Sequence, residues 1–265
     1  MFTLRQYLLA LLDSRGLTRT LGEIDVCRDE QGRPCFSAGN SAAVFRIRLG
    51  GRIRSLRCYL RPMRHLKEIY GQRLLEKELY LHTSPETGVW VDTVLGDWIE
   101  GSTLHDTVAQ AAALRDRECL QILVRLFDRL ALALVTDDRA HGDLKPENII
   151  VGDDGTLCPI DFDASYLPAF AGEISPELGT AAYQHPARTA ADFDERIDDY
   201  PAALISTALH ALAEDPTLWD RYGSSDGLLY TPQRIASDPA YRETLALFEK
   251  RGMAVQYRIA QLLTA

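Results

Sequence analysis

Residues 42–59 read AAVFRIRLGGRIRSLRCY, and this stretch restricts the possible folds of the chain more than any other. Apolar and polar residues alternate on both sides of Gly50-Gly51, which is the pattern of two antiparallel strands joined by a tight turn. The preceding PCFSAG at 34–39 has the same strand-like character. Residues 33–60 therefore predict a hairpin-rich antiparallel sheet.

Helical spacing follows this sheet. Apolar residues recur at helical intervals between Met63 and His82, at Leu66, Ile69, Tyr70, Leu74 and Leu75. We expect one major helix over this range, before GVWVDTVL at 88–95 returns to strand character. The N-terminal segment LRQYLLALLDSRG predicts a second, amphipathic helix that packs on the body of the protein.

The character of the chain changes after Ile99-Glu100-Gly101. ECLQILVRLFDRLALALV at 118–135 is apolar almost all round and predicts a buried helix, and further helices are predicted at about 197–213 and 239–264. A chain of 265 residues is long enough for two lobes. The pattern predicts an α+β fold with a sheet-rich first part and a mainly helical second part.

Composition excludes several classes of function. Hydrophobic residues make up 46% of the chain and charged residues 25%, as in globular proteins. A net charge of −9 argues against a broad nucleic-acid surface. Five scattered cysteines without a CxxC pair predict reduced thiols and a cytoplasmic location rather than disulfides or zinc. No apolar run approaches the roughly 18 residues of a membrane helix, so we expect neither nucleic-acid nor membrane partners.

The stretch HGDLKPENII at 141–150 carries the strongest chemical signal. In isolation, Asp143 and Asn148 suit a turn, because both side chains bond nearby backbone readily and Pro146 restricts the loop. Here the stretch runs into two short strand-like pieces around the turn DDG at 153–155, which deliver Asp161-Phe162-Asp163. The combination resembles the catalytic and metal-binding loops of the eukaryotic-like Ser/Thr protein kinases.

The resemblance implies a role for each polar residue of the loop. Phosphoryl transfer requires a carboxylate at the acceptor hydroxyl, oxygen ligands for magnesium and a cation on the transferring phosphate. Asp143 would hold the acceptor hydroxyl and Lys145 would neutralise the γ-phosphate. Asn148 and Asp161 would bind Mg²⁺. His141 is expected to brace the loop rather than bind a metal.

Two segments of the first hundred residues resemble the nucleotide-binding parts of a kinase. SAGNSAAVF at 37–45 aligns with the glycine-rich loop, and Gly39 is the one glycine retained there. In SLRCYL, Ser55 takes the place of the small residue over adenine, and Arg57 stands where a lysine binds the α- and β-phosphates. The acidic partner of Arg57 is expected on the following helix, where Glu76 is favoured and Glu78 remains open.

The connection and the later segments complete the resemblance. DWIEGSTL at 97–104 resembles the hinge, where adenine would bond the backbone of Asp97 and Ile99. GTAAYQHPAR resembles the end of the activation segment and predicts Thr180 near Asp143, with Arg188 where an acidic residue is expected. In RIDDYPAALI, Asp198 is the candidate for a buried acid that braces the loop, and the alternative is an acid at a helix N-terminus.

The resemblance covers about residues 33–212, and the run FDASYLPAFAGEISPELG is similar to a bacterial subgroup of the family. It implies one two-lobed protein-kinase-like domain over 1–265, with an N-terminal helical extension at 1–32, an N-lobe at 33–97, and the hinge and C-lobe at 98–265. It further implies transfer of the γ-phosphate of ATP, with Mg²⁺, to a Ser or Thr hydroxyl of a protein.

Two other functions remain open from the sequence. Arg57 and the sparse glycine loop are also compatible with a pseudokinase, a nucleotide-binding module that acts through a protein partner. HGD at 141–143 additionally resembles the loop of small-molecule kinases of the aminoglycoside-phosphotransferase type. Gly142 occupies the position where many regulated kinases carry an arginine for a phosphorylated activation loop. Any activity is therefore expected without such phosphorylation.

Overall fold

The computed structural model describes residues 1–264. The chain forms two compact units, of which the first is Met1–Trp98 and the second begins at Ile99. The first contains a curled antiparallel sheet and the second is mainly helical, so the predicted α+β class is confirmed. The architecture is compatible with a two-lobed kinase-like fold. That residues 1–265 form one domain, with the boundaries given above, stays a prediction.

The first unit is built on six antiparallel strands. They are β1 Asp25–Val26, β2 Phe36–Ala38, β3 Ala42–Leu49, β4 Arg52–Tyr59, β5 Leu74–His82 and β6 Gly88–Asp97. Their order is β1-β3-β4-β6-β5, and β2 also pairs with β3. The β3–β4 register runs from Ala42 opposite Tyr59 to Leu49 opposite Arg52. This confirms the predicted hairpin, whose turn uses the positive φ angles of Gly50 and Gly51.

The predicted N-terminal helix is present as α1, Leu4–Leu12. Thr3 and Gln6 form a capping box at its start. One face of the helix is buried through Tyr7, Ala10 and Leu11, and the Tyr7 hydroxyl donates to the Tyr59 carbonyl at 2.6 Å. This face packs with the inner side of the sheet, so α1 is an integral part of the first unit.

The prediction of one major helix between residues 63 and 82 is wrong. The structure has a short helix α2, Leu66–Tyr70, then a 3₁₀ turn, and residues 74–82 are strand β5. Gly71 ends α2 with a φ of 54°. A bulge at Lys77, with a φ of 51°, interrupts the strand alternation. The apolar residues that suggested one helix are divided between two elements: Leu66, Ile69 and Tyr70 lie in α2, whereas Leu74 and Leu75 begin β5.

The helices and strands of the second unit pack around one apolar core. Its helices are α3 Leu104–Ala113, α4 Arg117–Val135, α5 Asp199–Glu214, α6 Leu218–Tyr222, α7 Pro239–Arg251 and α8 Ala254–Gln261, and its strands are β7 Gly101–Thr103, β8 Ile149–Gly152 and β9 Leu157–Pro159. The strands pair in the order β7-β8-β9, and α4 packs on α5. No helix among residues 1–264 is long and apolar enough to cross a membrane.

Two helical predictions in this unit need correction. The helix predicted to be buried all round is α4, which buries Leu120, Leu123 and Phe127 but exposes 64% of Leu132. The helix predicted over 239–264 is divided at Gly252, whose φ of 70° ends α7. In the first case the apolar residues were recognised correctly, but their division between buried and exposed faces was not. In the second case a glycine divides the one predicted helix into α7 and α8.

Candidate active site

The loop 141–150 is fixed at both ends by buried apolar residues. Ala140 bridges to Tyr166 before the loop, and Leu144 and Ile149 are fully buried in the core of the second unit. Between them, Pro146–Asn148 forms a 3₁₀ turn that leads into β8. The polar side chains of the loop therefore project from a well-anchored backbone.

Asp143 lies at the centre of a group of polar contacts. Its Oδ1 accepts from the Thr180 backbone N–H at 2.5 Å, and its Oδ2 accepts from Asn148 Nδ2 at 3.1 Å. The Lys145 ammonium lies 3.5 Å from the same Oδ2 and donates to the Thr180 hydroxyl at 2.9 Å. Both charged side chains are largely shielded from solvent. The structure thus brings together Asp143, Lys145 and Asn148, and it confirms Thr180 beside them.

Asp198 holds this loop from behind. It is 1% exposed, and its two carboxylate oxygens accept from the backbone N–H groups of His141 at 2.5 Å and Gly142 at 3.0 Å. His141 is itself buried, and its Nε2 bonds the Ile160 carbonyl at 2.7 Å while its ring packs on Phe162. Both structural roles predicted from the sequence are confirmed.

Asp161 is tied to the loop through its neighbour. The Ile160 N–H donates to the Asn148 carbonyl at 2.8 Å, and Asp161 follows in a left-handed conformation with φ 68° and ψ 64°. The Asn148 Nδ2 donates to the backbone carbonyl and to the carboxylate of Asp143, which leaves the Asn148 Oδ1 for a cation. An amide oxygen and a carboxylate are ligands that suit Mg²⁺.

Arg188 belongs to this group, although the sequence assigned it no role. Its Nη1 donates to the Gly142 carbonyl at 3.2 Å and to the side-chain oxygen of Gln184. Burial lowers the pKa of the Arg188 guanidinium, while the negative charges of Asp198 and Asp143 act in the opposite direction. An arginine in a loop gives no local signal of the bond to Gly142, because that residue lies 46 positions away in the chain.

The predicted nucleotide residues of the first unit lie on two hairpins. Ser55 and Arg57 stand two residues apart on one face of β4, as predicted, opposite Gly96 and Val94 of β6. The Ser55 hydroxyl donates to the carbonyl of Asp97, the last residue of β6, at 3.1 Å. The Arg57 guanidinium lies 5.9 Å from the Tyr59 ring centre.

Gly39 and Ile99 occupy connections. The Gly39 N–H donates to the Ala42 carbonyl at 2.9 Å, so SAGNSAAVF forms the end of the β2–β3 hairpin rather than a long flap. A Cβ on Gly39 would meet only the Ala42 carbonyl oxygen, at 4.0 Å. Ile99 lies between β6 and β7, at the start of the second unit. Whether any of these residues contacts a nucleotide stays a prediction.

Glu76 and Glu78 lie on strand β5, so the helix that was to carry one of them toward Arg57 is absent. Glu76 is exposed, with its carboxylate 3.5 Å from the Lys67 ammonium. Glu78 is 1% exposed and accepts from the backbone N–H groups of residues 19–21. The pairing of Arg57 with either glutamate stays a prediction, and Glu78 secures the segment that follows α1.

Comparison with known proteins finds Ser/Thr protein kinases. The chain is 27% identical over 172 residues to CBL-interacting protein kinase 17 of Oryza sativa subsp. japonica, covering 62% of this chain and 35% of that protein. It is 33% identical over 113 residues to serine/threonine-protein kinase PknL of Mycobacterium tuberculosis, covering 40% and 27%. Over 121 residues it is 26% identical to the probable serine/threonine-protein kinase PknB of Bifidobacterium longum, covering 42% and 17%.

These matches and the α+β fold together support a protein-kinase-like family for this chain. No protein-family model matches it. The chain spans about a third or less of the length of these curated relatives. The similarity therefore concerns only part of each relative, and it does not extend to the activity of the whole relative.

Proposed function

We propose that the chain is an ATP-dependent phosphotransferase that moves the γ-phosphate to a Ser or Thr hydroxyl of a protein. The observation that carries this proposal is the arrangement around Asp143. One carboxylate oxygen is held by the Thr180 backbone and the other faces the Asn148 amide, with the Lys145 ammonium 3.5 Å away. The contact with Thr180 joins residues 37 positions apart, and an aspartate that only forms a turn would not require it.

Each member of this group has a distinct role in the proposed transfer. Asp143 orients the acceptor hydroxyl and accepts its proton, because its carboxylate is already aligned by two donors. Lys145 neutralises negative charge on the transferring phosphate at a place shielded from water, where its charge acts more strongly. Positioning and charge, rather than a covalent intermediate, provide the catalysis.

The remaining roles concern magnesium and the nucleotide. Asn148 and Asp161 would hold Mg²⁺, which when bound neutralises phosphate charge and orients the phosphate oxygens. Ser55 would lie over the adenine, whose edge would bond the backbone of Asp97 and Ile99. Gly39 would leave room for the phosphates, and Arg57 would replace the usual lysine with a planar fork that binds two phosphate oxygens.

A second candidate is a nucleotide-binding module that transfers no phosphate. It is favoured by one observation: β5 occupies the segment predicted to hold a helical acid for Arg57. Glu76 lies beside Lys67 and Glu78 accepts from the backbone of residues 19–21, so neither is the helical acid that the resemblance implies. The two candidates differ in turnover and agree in nucleotide binding.

Measurement of labelled γ-phosphate transfer from Mg-ATP tests the proposal. Wild type is compared with Asp143→Asn and with Asp153→Asn, a control that removes one carboxylate from an exposed turn of the same unit. We expect Asp143→Asn to lower transfer by at least about a hundredfold and Asp153→Asn to leave it unchanged. Acceptors include a mixture of Ser/Thr peptides, with small cationic metabolites as the second arm.

Nucleotide affinity is measured in the same three proteins. Binding of Mg-ATP without transfer to any acceptor would favour the binding module, and transfer to a metabolite alone would favour a small-molecule kinase. Equal transfer by wild type and Asp143→Asn would refute the assigned role of Asp143. Arg57→Lys then reports whether the arginine limits turnover.

A further inference from the structure

Gly142 is held by two side chains of opposite charge. Its N–H donates to Asp198 Oδ1 at 3.0 Å, and its carbonyl accepts from Arg188 Nη1 at 3.2 Å. The carbonyl belongs to the peptide bond that leads directly into Asp143. The conformation of that peptide sets the direction in which the Asp143 carboxylate points.

A cation that binds the Gly142 carbonyl must come from outside the loop 141–150. Gly142 has a φ of 79°, and a Cβ added to it would lie 2.0 Å from the Ala164 carbonyl oxygen. No side chain fits at residue 142, so the loop cannot supply its own guanidinium there. Arg188 reaches the same backbone from the segment that follows Thr180.

The surroundings of Arg188 keep its guanidinium in place. Gln184 is 5% exposed, and its side-chain oxygen accepts from the same Nη1 that binds Gly142. The negative charges of Asp143, in the loop, and of Asp198, at the start of α5, attract the Arg188 guanidinium. The negative charge of the two aspartates adds to the hydrogen bonds that Nη1 donates to Gly142 and Gln184.

We propose that Arg188 is a positioning residue that holds Asp143 in place for phosphoryl transfer by fixing the Gly142 carbonyl. This inference rests on the proposed function. As a permanent cation, Arg188 would order the loop that carries Asp143, a role that a phosphorylated activation loop has in regulated kinases. Arg188 acts through the loop backbone, so its loss should lower kcat while leaving the KM for ATP unchanged.

The test compares wild type, Arg188→Met, Arg188→Lys and the control Arg196→Met. Arg196 lies in the same region but its side chain is 78% exposed. Hydrogen exchange of peptides spanning 139–148 measures how firmly the loop is held, and phosphate transfer gives kcat and KM. We expect Arg188→Met to speed loop exchange and to lower kcat by about tenfold each, the loss of one charged hydrogen bond. Arg188→Lys should be intermediate, and millimolar methylguanidinium should restore part of the kcat of Arg188→Met.

Two results would overturn the inference. The first is that Arg188→Met has the same loop exchange rate and the same kcat as wild type. The other is exchange that rises equally in peptides of α4, because general loosening of the unit would then explain the lower activity. If wild type transfers no phosphate, the proposed function fails, whereas loop exchange in Arg188→Met still decides whether Arg188 holds Asp143.

Discussion

Asp198→Asn should destabilise the second unit more than any exposed acid in its neighbourhood. The carboxylate is 1% exposed and accepts one backbone N–H on each oxygen, from His141 and Gly142. Asparagine retains one acceptor oxygen and presents an NH₂ group to the other N–H. One buried donor therefore loses its acceptor, and a second donor is placed against it.

The size of the effect follows from these two bonds. A hydrogen bond to a charged group contributes roughly 1.5–3 kcal/mol, and a buried donor left without an acceptor costs about 1–3 kcal/mol. Because these contributions overlap, we expect Asp198→Asn to lower the free energy of unfolding by about 2–4 kcal/mol. The remaining charge of Arg188, no longer balanced by Asp198, acts in the same direction.

Urea unfolding of wild type, Asp198→Asn and Glu195→Gln measures this effect. Glu195 lies three residues earlier and is exposed, so its substitution should change the free energy by less than about 0.5 kcal/mol. Fluorescence and circular dichroism transitions are recorded together, because the two units need not unfold in one step. A loss below about 1 kcal/mol for Asp198→Asn would refute the reasoning, since charged bonds of this kind are stronger than that.

Three further predictions follow from buried groups. Glu78→Gln should cost about 1–3 kcal/mol of unfolding free energy, because an NH₂ group replaces Oε2, which accepts from the Thr20 N–H and the Thr20 hydroxyl. Urea unfolding checks this prediction, and a change below about 0.5 kcal/mol would contradict it. Gly142→Ala should destabilise by more than about 2 kcal/mol because its Cβ meets the Ala164 carbonyl, whereas Gly155→Ala, in an open turn with similar φ, should cost about 1 kcal/mol. Thermal unfolding compares the two, and equal losses would show that the contact with Ala164 is relieved. Burial raises the pKa of the Cys58 thiol, so iodoacetamide should modify Cys58 only after unfolding, and equally rapid labelling of Cys27 and Cys58 would argue against this core.

Local patterns were sufficient wherever nearby residues determine the conformation. The β3–β4 hairpin follows from alternation around Gly50-Gly51, and α1 follows from its apolar face and capping residues. The group of Asp143, Lys145 and Asn148 lies within six residues, so one short loop brings these side chains together. Asp198 was identified only because the resemblance supplied a distant partner for it.

The segment 63–82 shows why local patterns can fail. Its helical spacing runs from α2 into the first two residues of β5, so one apparent pattern covers two different elements. Within β5, the bulge at Lys77 is stabilised by the side chain of Asp92, which accepts from the Lys77 N–H at 2.7 Å. That bond joins residues fifteen positions apart and exists only when β5 pairs with β6. Helical spacing was therefore present in the sequence, but sheet pairing and burial of Leu79 and Leu81 determined the strand.

The sequence by itself determined the α+β class, the hairpin and the polar loop, because each depends on residues close together in the chain. Only the tertiary structure decided that Glu78 secures the segment after α1 and that Arg188 reaches the Gly142 carbonyl. Both depend on contacts between residues at least 46 positions apart. A buried charge is stable only where several distant groups compensate it, and that compensation exists only in the folded chain.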